Sequence, residues 1–349
     1  MGNLKTGDWN FAAKGFDHLE IADLLEFGGV ARYDVHMSDI QLFYLNSETA
    51  KRLEHQPFKL EKDLQKLFER HLQELLGVQF LATEFITDIT HAGRIDTVGI
   101  DENLNPVVIE YKRDRNENVI SQGLFYLDWL VNHKADFKLL VLEKLGKSVA
   151  EKIDWTSPRL ICVAETYGKY DSYAVKQMNR NIQLLVYRRY PNDLLILELV
   201  SDALVVNVTK TVKNTLQPQR VESEIAEPLE IKTVRQDLAK SNAQVQEVYL
   251  SLETFILDLG DDIKLKELKF YFAFQKIKNF VCVTLFKSVL HLWLKLNPDE
   301  IDLSQYTVIK AADMRKVSHW GTGDLQLELR SLEDLEIAKP LIERAYQEN

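Results

Sequence analysis

The 349-residue chain is poor in cysteine, with only Cys162 and Cys282. The two sit far apart in apolar runs, RLICVA and NFVCVT, without a CxxC or a Cys/His cluster. A zinc site is therefore not expected, and both read as buried thiols of a reducing compartment. Long apolar runs are also missing. The most apolar stretch, NFVCVTLFKSVLHLWLKL, is broken by Lys287, His291 and Lys295, and nowhere is there an uninterrupted run of about 18 apolar residues. The opening MGNLKTGDWNFAAKG lacks the apolar centre of a signal peptide. These absences describe a soluble, cytoplasmic protein with no membrane role. Positive charge is in short supply as well: 43 Lys and Arg face 53 Asp and Glu, for a net charge of −10. That excludes a surface coated for nucleic acid. It leaves room for a local basic groove, because phosphate contacts are local.

What is present is an alternation of helical and strand-like segments, without repeats or low-complexity tracts. Residues 1–36 lack a clear period and read as an N-terminal extension or, equally, an ordinary helical cap, with MSDIQLFYLN opening the first regular unit at Met37. KLEKDLQKLFERHLQELLG (59–77) is a helix with one apolar stripe, and Gly77 stops it. Strands follow at 79–86, 93–100 and 106–112, the last two joined by the polar turn DENLNP. A helix is expected over 117–137, then strands FKLLVLEKL, PRLICVAETY and IQLLVYRRY, with a helix around 171–181 before the last. LLILELV and ALVVNVT complete a unit spanning 37–208. The fold class is α/β with a mixed sheet. Residues 209–243 lose the apolar rhythm and read as a linker. Residues 244–349 form a second, smaller α+β domain, closed by a helix that begins at Ser331 with a capping-box pattern and contains Pro340.

The stretch GRIDTVGIDENLNPVVIEYKR (93–113) carries the chemistry. Residues two apart on a strand share a face, so Glu110 and Lys112 point the same way. A hairpin centred near Asn103 places Asp96 across from Glu110. Two close, buried carboxylates repel each other and resist ionisation. A divalent cation resolves that conflict: Mg²⁺ takes oxygen ligands, often only one or two carboxylates, and keeps waters. The Tyr111 carbonyl could add a ligand, and Lys112 could orient a water and offset developing negative charge. The same residues also fit a surface salt bridge on a hairpin face, and a motif this short arises often by chance.

The ordering resembles the PD-(D/E)XK nuclease superfamily, whose core runs helix, three-strand meander, helix, strand, with an acid followed by E-x-K on the next strand. Here those residues are Asp96, Glu110 and Lys112. GRIDTVGIDE, PVVIEYKR and VISQGLFYLDWL are similar to the NucS-like and RecB-like branch. That resemblance adds Glu61 on the first helix and Gln122 on the helix after the E-x-K strand, and covers roughly residues 38–200. Ile95 stands where the literal motif has proline. The resemblance implies a Mg²⁺- or Mn²⁺-dependent nuclease acting on DNA, with Asp96, Glu110, the Tyr111 carbonyl and Glu61 around the metal. Arg94, Arg113, Arg115, Asn116 and Asn118 form a candidate backbone-contacting rim; Arg94 could equally pair with a local acid, and the loop could be merely solvated.

The second domain resembles a small bacterial domain of unknown function found after such cores, and is expected to select substrate or bind a partner. KLKELKFYFAFQKIK interleaves lysines with aromatics, which fits either a stacking surface or a core strand with a wet face. HWGTGD (319–324) is either a ligand cradle or a turn. A homodimer is a further expectation, since one active site cuts one strand. The competing readings are a non-catalytic binding or scaffold protein that keeps the fold, and an RNA substrate.

Overall fold

The computed structural model describes residues 40–87, 93–113, 119–168, 170–178, 180–203, 234–286, 288–317 and 321–349. The expected extension at 1–36 lies outside them, and residues 39–349 group as one compact unit. The chain begins with a short hairpin, β1 (Phe43–Leu45) and β2 (Ala50–Arg52). Then come α1 (Glu61–Arg70), α2 (Leu72–Leu76), β3 (Val78–Ile86), β4 (Arg94–Asp101) and β5 (Pro106–Lys112). Next are α3 (Val119–Asn132), α4 (Lys134–Leu145), α5 (Lys147–Ala150), β6 (Arg159–Ala164), α6 (Asp171–Gln177), β7 (Asn181–Tyr190) and β8 (Leu194–Ala203). The rest comprises α7 (Val234–Leu238), α8 (Ala243–Leu257), β9 (Lys264–Glu267), β10 (Tyr271–Gln275), β11 (Asn279–Phe286), β12 (Val289–Leu294), β13 (Ala312–Asp313), β14 (Leu325–Leu329) and α9 (Leu332–Glu348).

The first six-stranded sheet runs β3-β4-β5-β6-β7-β8. Its β3–β4–β5 meander is antiparallel, β5–β6 and β6–β7 are parallel, and β8 returns antiparallel to β7. The fold class is therefore α/β with a mixed sheet, and its order is the helix, meander, helix, strand order expected. β5 and β6 are buried throughout or nearly so, as befits strands covered on both faces. Val107, Ile109 and Tyr111 pack with Leu64 and Phe68 of α1 on one face. Val108 packs with Ile120, Leu127 and Leu130 of α3 on the other. Gly123 of α3 lets that helix approach closely: a Cβ there would meet a Leu160 methyl at 2.5 Å.

Three expectations need correction. FKLLVLEKL is not a strand but most of α4. Phe137 and Val141, one helical turn apart, are buried, while Leu139 and Leu142 are exposed; strand alternation would have buried Leu139 instead. Most of its residues are also strong helix formers. The 59–77 helix breaks at His71 into α1 and α2, although Gly77 does end it, at φ 63°. Part of the expected 209–243 linker is built into the second unit: α7 buries Val234 and Leu238 beside Val245 and Val248 of α8. Residues 204–233 lie outside the description.

The second six-stranded sheet, β13-β14-β12-β11-β10-β9, is antiparallel throughout. One face packs on α8 and α9 through Phe272, Phe274, Val281 and Leu292. The aromatics of KLKELKFYFAFQKIK at Phe272 and Phe274 are thus core, the plainer of its two readings. The Gly-Thr-Gly part of HWGTGD likewise lies on its own sheet. Gly321 and Gly323 take positive φ, and a Cβ on either would strike Cys282 or the Trp293–Leu294 backbone. α9 opens on a complete capping box between Ser331 and Asp334 and carries Pro340 inside it. Both cysteines are buried and free. Among the described residues no helix is long and apolar enough to cross a membrane.

Candidate active site

The meander builds the site from its register. β4 and β5 pair Ile100 with Pro106, Val98 with Val108 and Thr97 with Ile109. One more step along that register sets Asp96 opposite Glu110, but there side chains replace the ladder. The Asp96 amide donates to Oε1 of Glu110 at 3.2 Å. The Tyr111 amide donates to Oδ2 of Asp96 at 3.1 Å. Each carboxylate therefore caps the other strand's backbone, and the two acids lie close enough for the Asp96 charge to act on Glu110.

Two buried carboxylates this close cannot both ionise cheaply. Burial, then the Asp96 charge, pushes Glu110 up to about 9. Burial, outweighing the Tyr111 amide and the Lys112 charge, raises Asp96 as well. Glu110 is fully buried, and its Oε2 has no hydrogen-bond partner among the described residues. An orphaned buried carboxylate oxygen costs free energy unless something binds it.

Lys112 lies two residues on and donates to Oε1 of Glu61 at 3.0 Å. Burial pulls its pKa down, but Glu61, Asp96 and Glu110 outweigh that and hold it raised. Lys112 is therefore an ammonium, suited to offsetting negative charge and not to removing a proton. Glu61, the first residue of α1, also takes the Arg113 amide at 3.3 Å. The structure thus brings together Asp96, Glu110, Lys112 and Glu61. Gln122 sits half-buried near the start of α3. Arg94 is ion-paired with Glu84, the local-acid reading of that residue, and the Arg113 guanidinium donates to the Lys59 carbonyl at 2.7 Å. Arg115, Asn116 and Asn118 lie outside the described residues.

Gln65 is a residue that sequence reasoning missed. Buried in α1, it donates to the Asp96 carbonyl at 2.6 Å, to Glu69 at 2.9 Å and to Thr83 at 3.1 Å. Glu69 in turn accepts from Thr97 at 2.7 Å. These bonds hold β4 at the Asp96 carbonyl and at the next residue, Thr97. The signal was available: Gln65 stands three residues before Phe68, a polar residue on the helix's apolar face. Tyr126 of α3 steadies the start of β4 through its hydroxyl and the Arg94 amide, at 3.2 Å.

The donor set fits a hard divalent cation. Among the described residues no group of three or more His, Cys, Asp or Glu side chains is placed to hold a metal, but Mg²⁺ needs only one or two carboxylates and retains waters. The orphaned Glu110 oxygen, the adjacent Asp96 and a strand carbonyl satisfy that requirement. A strand residue directs its N–H and C=O to the same side, so the Tyr111 carbonyl faces the Asp96 side.

Over 311 residues the chain is 30% identical to an uncharacterized protein of Haemophilus influenzae, covering 88% of this chain and all of that protein. The chain belongs to that protein's family. Residues 234–349 match the family model of DUF5655, a domain of unknown function. Among solved structures, a repair endonuclease from Pyrococcus abyssi is 21% identical, over 38% of this chain and 50% of its own length, at a TM-score of 0.25. The EndoMS–dsDNA2 complex is 18% identical over 39% of this chain and 50% of its own, at 0.22. The chain spans about half of each of those proteins, and likeness at that level carries no functional weight.

Proposed function

We propose that this chain is a cytoplasmic Mg²⁺- or Mn²⁺-dependent phosphodiesterase that hydrolyses DNA. The observation that carries this reading is the buried Asp96–Glu110 pair, with an unpartnered Glu110 oxygen beside a charged Lys112. A surface salt bridge, the plainer reading of the motif, does not fully bury a carboxyl group and leave one of its oxygens unpartnered. The metal supplies a nucleophilic water and charge for the phosphoryl oxygens. Asp96, Glu110 and the Tyr111 carbonyl would hold it, with Glu61, which the resemblance also sets around the metal, engaged here by Lys112 at 3.0 Å. Lys112 stands where negative charge builds on the scissile phosphate and stabilises it electrostatically. Glu61 orients Lys112, and Gln65 holds the backbone of Asp96 in place. DNA as substrate rests on the resemblance to PD-(D/E)XK nucleases carried by Asp96, Glu110, Lys112, Glu61 and Gln122.

The test is purified protein with plasmid, linear, single-stranded and branched DNA, in Mg²⁺, Mn²⁺ or EDTA, beside Asp96→Ala and Lys112→Ala. Metal-dependent cleavage lost in both variants supports the assignment, and cleavage persisting in both sinks it. DNA binding without cleavage of any substrate would favour the non-catalytic scaffold.

A further inference from the structure

The turn between β4 and β5 is polar, yet it does not face water. Asn103, at its centre, is 5% exposed. Its side-chain oxygen accepts from the Tyr271 hydroxyl at 2.9 Å and from the Asn279 amide group at 2.7 Å. Glu102 accepts from the Asn279 backbone N–H at 2.9 Å and is ion-paired with Lys295. Lys278 donates to the Glu74 carbonyl at 2.9 Å, at the end of α2. Gly77 makes room for this seam, since a Cβ there would meet the Glu102 carboxyl at 2.9 Å and Lys278 at 3.0 Å. Tyr271, Lys278, Asn279 and Lys295 all belong to the DUF5655 domain. That domain grips the tip of the hairpin whose other end carries Asp96 and Glu110.

The grip matters because the site end of the hairpin is weakly registered by its own ladder. Backbone pairing between β4 and β5 ends at Thr97 and Ile109. Beyond that point, among the described residues, the strands are linked by the Asp96 and Glu110 carboxyl groups bonding the opposite backbone. At that end register depends on the turn together with the buried side chains of both strands, and a one-residue slip would send Asp96 to the opposite face of the sheet. The turn itself stores strain. Leu104 has φ 63°, a left-handed conformation that is costly for a residue with a branched side chain and persists where surroundings over-determine it. The bonds from Tyr271 and Asn279 supply that constraint one residue away.

We propose that the DUF5655 domain is a positioning element for the Asp96–Glu110 pair, acting through Asn103 and Glu102 at the tip of the hairpin. The proposal rests on the nuclease reading for its consequence, but its mechanical part does not. From Asp101 at the tip to Asp96 is roughly 17 Å, five strand residues at about 3.4 Å each, along strands buried on both faces.

The experiment uses the full chain with Tyr271→Phe, Asn279→Ala and the double variant. Two amides report on the pair directly, because the Asp96 and Tyr111 N–H groups are the ones bonded to its carboxylates. In metal-free protein their hydrogen exchange is expected to accelerate about fivefold or more in the double variant, a typical coupling between linked sites. The β6 amides should not change. In cleavage assays the half-saturating Mn²⁺ concentration should rise by a similar factor, with kcat at saturating metal within about twofold. Acceleration confined to residues 101–105, or an unchanged metal requirement, would overturn the proposal. If the double variant is globally destabilised, Tyr271→Phe, which deletes one hydroxyl, carries both measurements. Absence of cleavage in the unaltered protein would sink the nuclease reading, while the exchange result would still decide whether the tip positions the pair.

Discussion

The two ends of one hairpin treat a buried carboxylate in opposite ways. At the tip, Asp101 is 3% exposed. It accepts from the Asn103 and Asn105 amides at 2.9 Å each and from the Asn105 side chain at 3.2 Å, and it is ion-paired with Arg159 at 3.1 Å. At the open end, Glu110 is equally buried but meets a second acid in place of a cation, and one of its oxygens has no partner. Both ends belong to the same pair of strands, with Asp101 five residues from Asp96 along β4, so fold alone does not explain the difference. A buried carboxylate kept for architecture is neutralised by a counter-charge; at the open end Glu110 is neutralised by a proton instead, which a cation could displace.

The largest expected effect comes from making the tip resemble the open end. Arg159→Met strips Asp101 of its counter-charge and leaves Gln183 without the guanidinium it bonds. Breaking a buried pair in this way costs about 3–5 kcal/mol, to be read from urea unfolding midpoints at pH 7. The reverse operation is Asp96→Ala at the open end. Metal-dependent cleavage should fall more than about 100-fold, since losing even an outer partner of a metal ligand costs up to that much. Stability in EDTA should hold or rise, because the variant removes a repulsive neighbour of Glu110. A variant that loses stability as Arg159→Met does would erase the contrast.

A subtler comparison uses pH. Glu110 titrates near 9 in the folded chain against 4.5 for an ordinary glutamate. Between those values the folded state holds a proton that the unfolded state has released. Its stabilising contribution is therefore complete below about 4.5 and is lost as pH rises toward 9. In EDTA, the melting temperature should decline across that window more steeply for the unaltered protein than for Glu110→Gln, which mimics the protonated acid at every pH. Metal binding should strengthen over the same window, because it displaces that proton. Arg159→Met does not alter Glu110 and should keep the decline.

How much of this was legible in the sequence follows from what each residue does. The Asp96–Glu110 juxtaposition was readable because strand periodicity and a turn centred on Asn103 fix it arithmetically, and the observed register agrees. α4 was misread because FKLLVLEKL is apolar at both strand and helix spacings, and only the packing of Phe137 and Val141 decides. The meaning of DENLNP was hidden for another reason. Polar turn residues look alike whether they face water or a distant segment, and Tyr271 and Asn279 stand 168 and 176 residues downstream of Asn103. Gln65 lay between these cases, visible as a flaw in an apolar stripe but without a partner until β4 is folded beside it.

The smallest expected effect tests whether the rim of the open end is architecture or contact surface. Arg94 is two residues before Asp96 and 65% exposed, and it shares Glu84 with Lys62. An exposed pair of this kind is worth no more than about 1 kcal/mol, so Arg94→Ala should leave unfolding within that margin. Glu84 is held below the usual carboxylate range by the Lys62 hydrogen bond, with Arg94 adding to it, so it is ionised at neutral pH. Two cations against one anion leave a single net positive charge beside the proposed metal site. If DNA lies across it, Arg94→Ala should reduce the slope of log affinity against log salt by about one, measured by anisotropy in EDTA with a labelled duplex. An unchanged slope would make Arg94 a strut for β3 and β4, and would confine substrate contact to residues closer to Lys112.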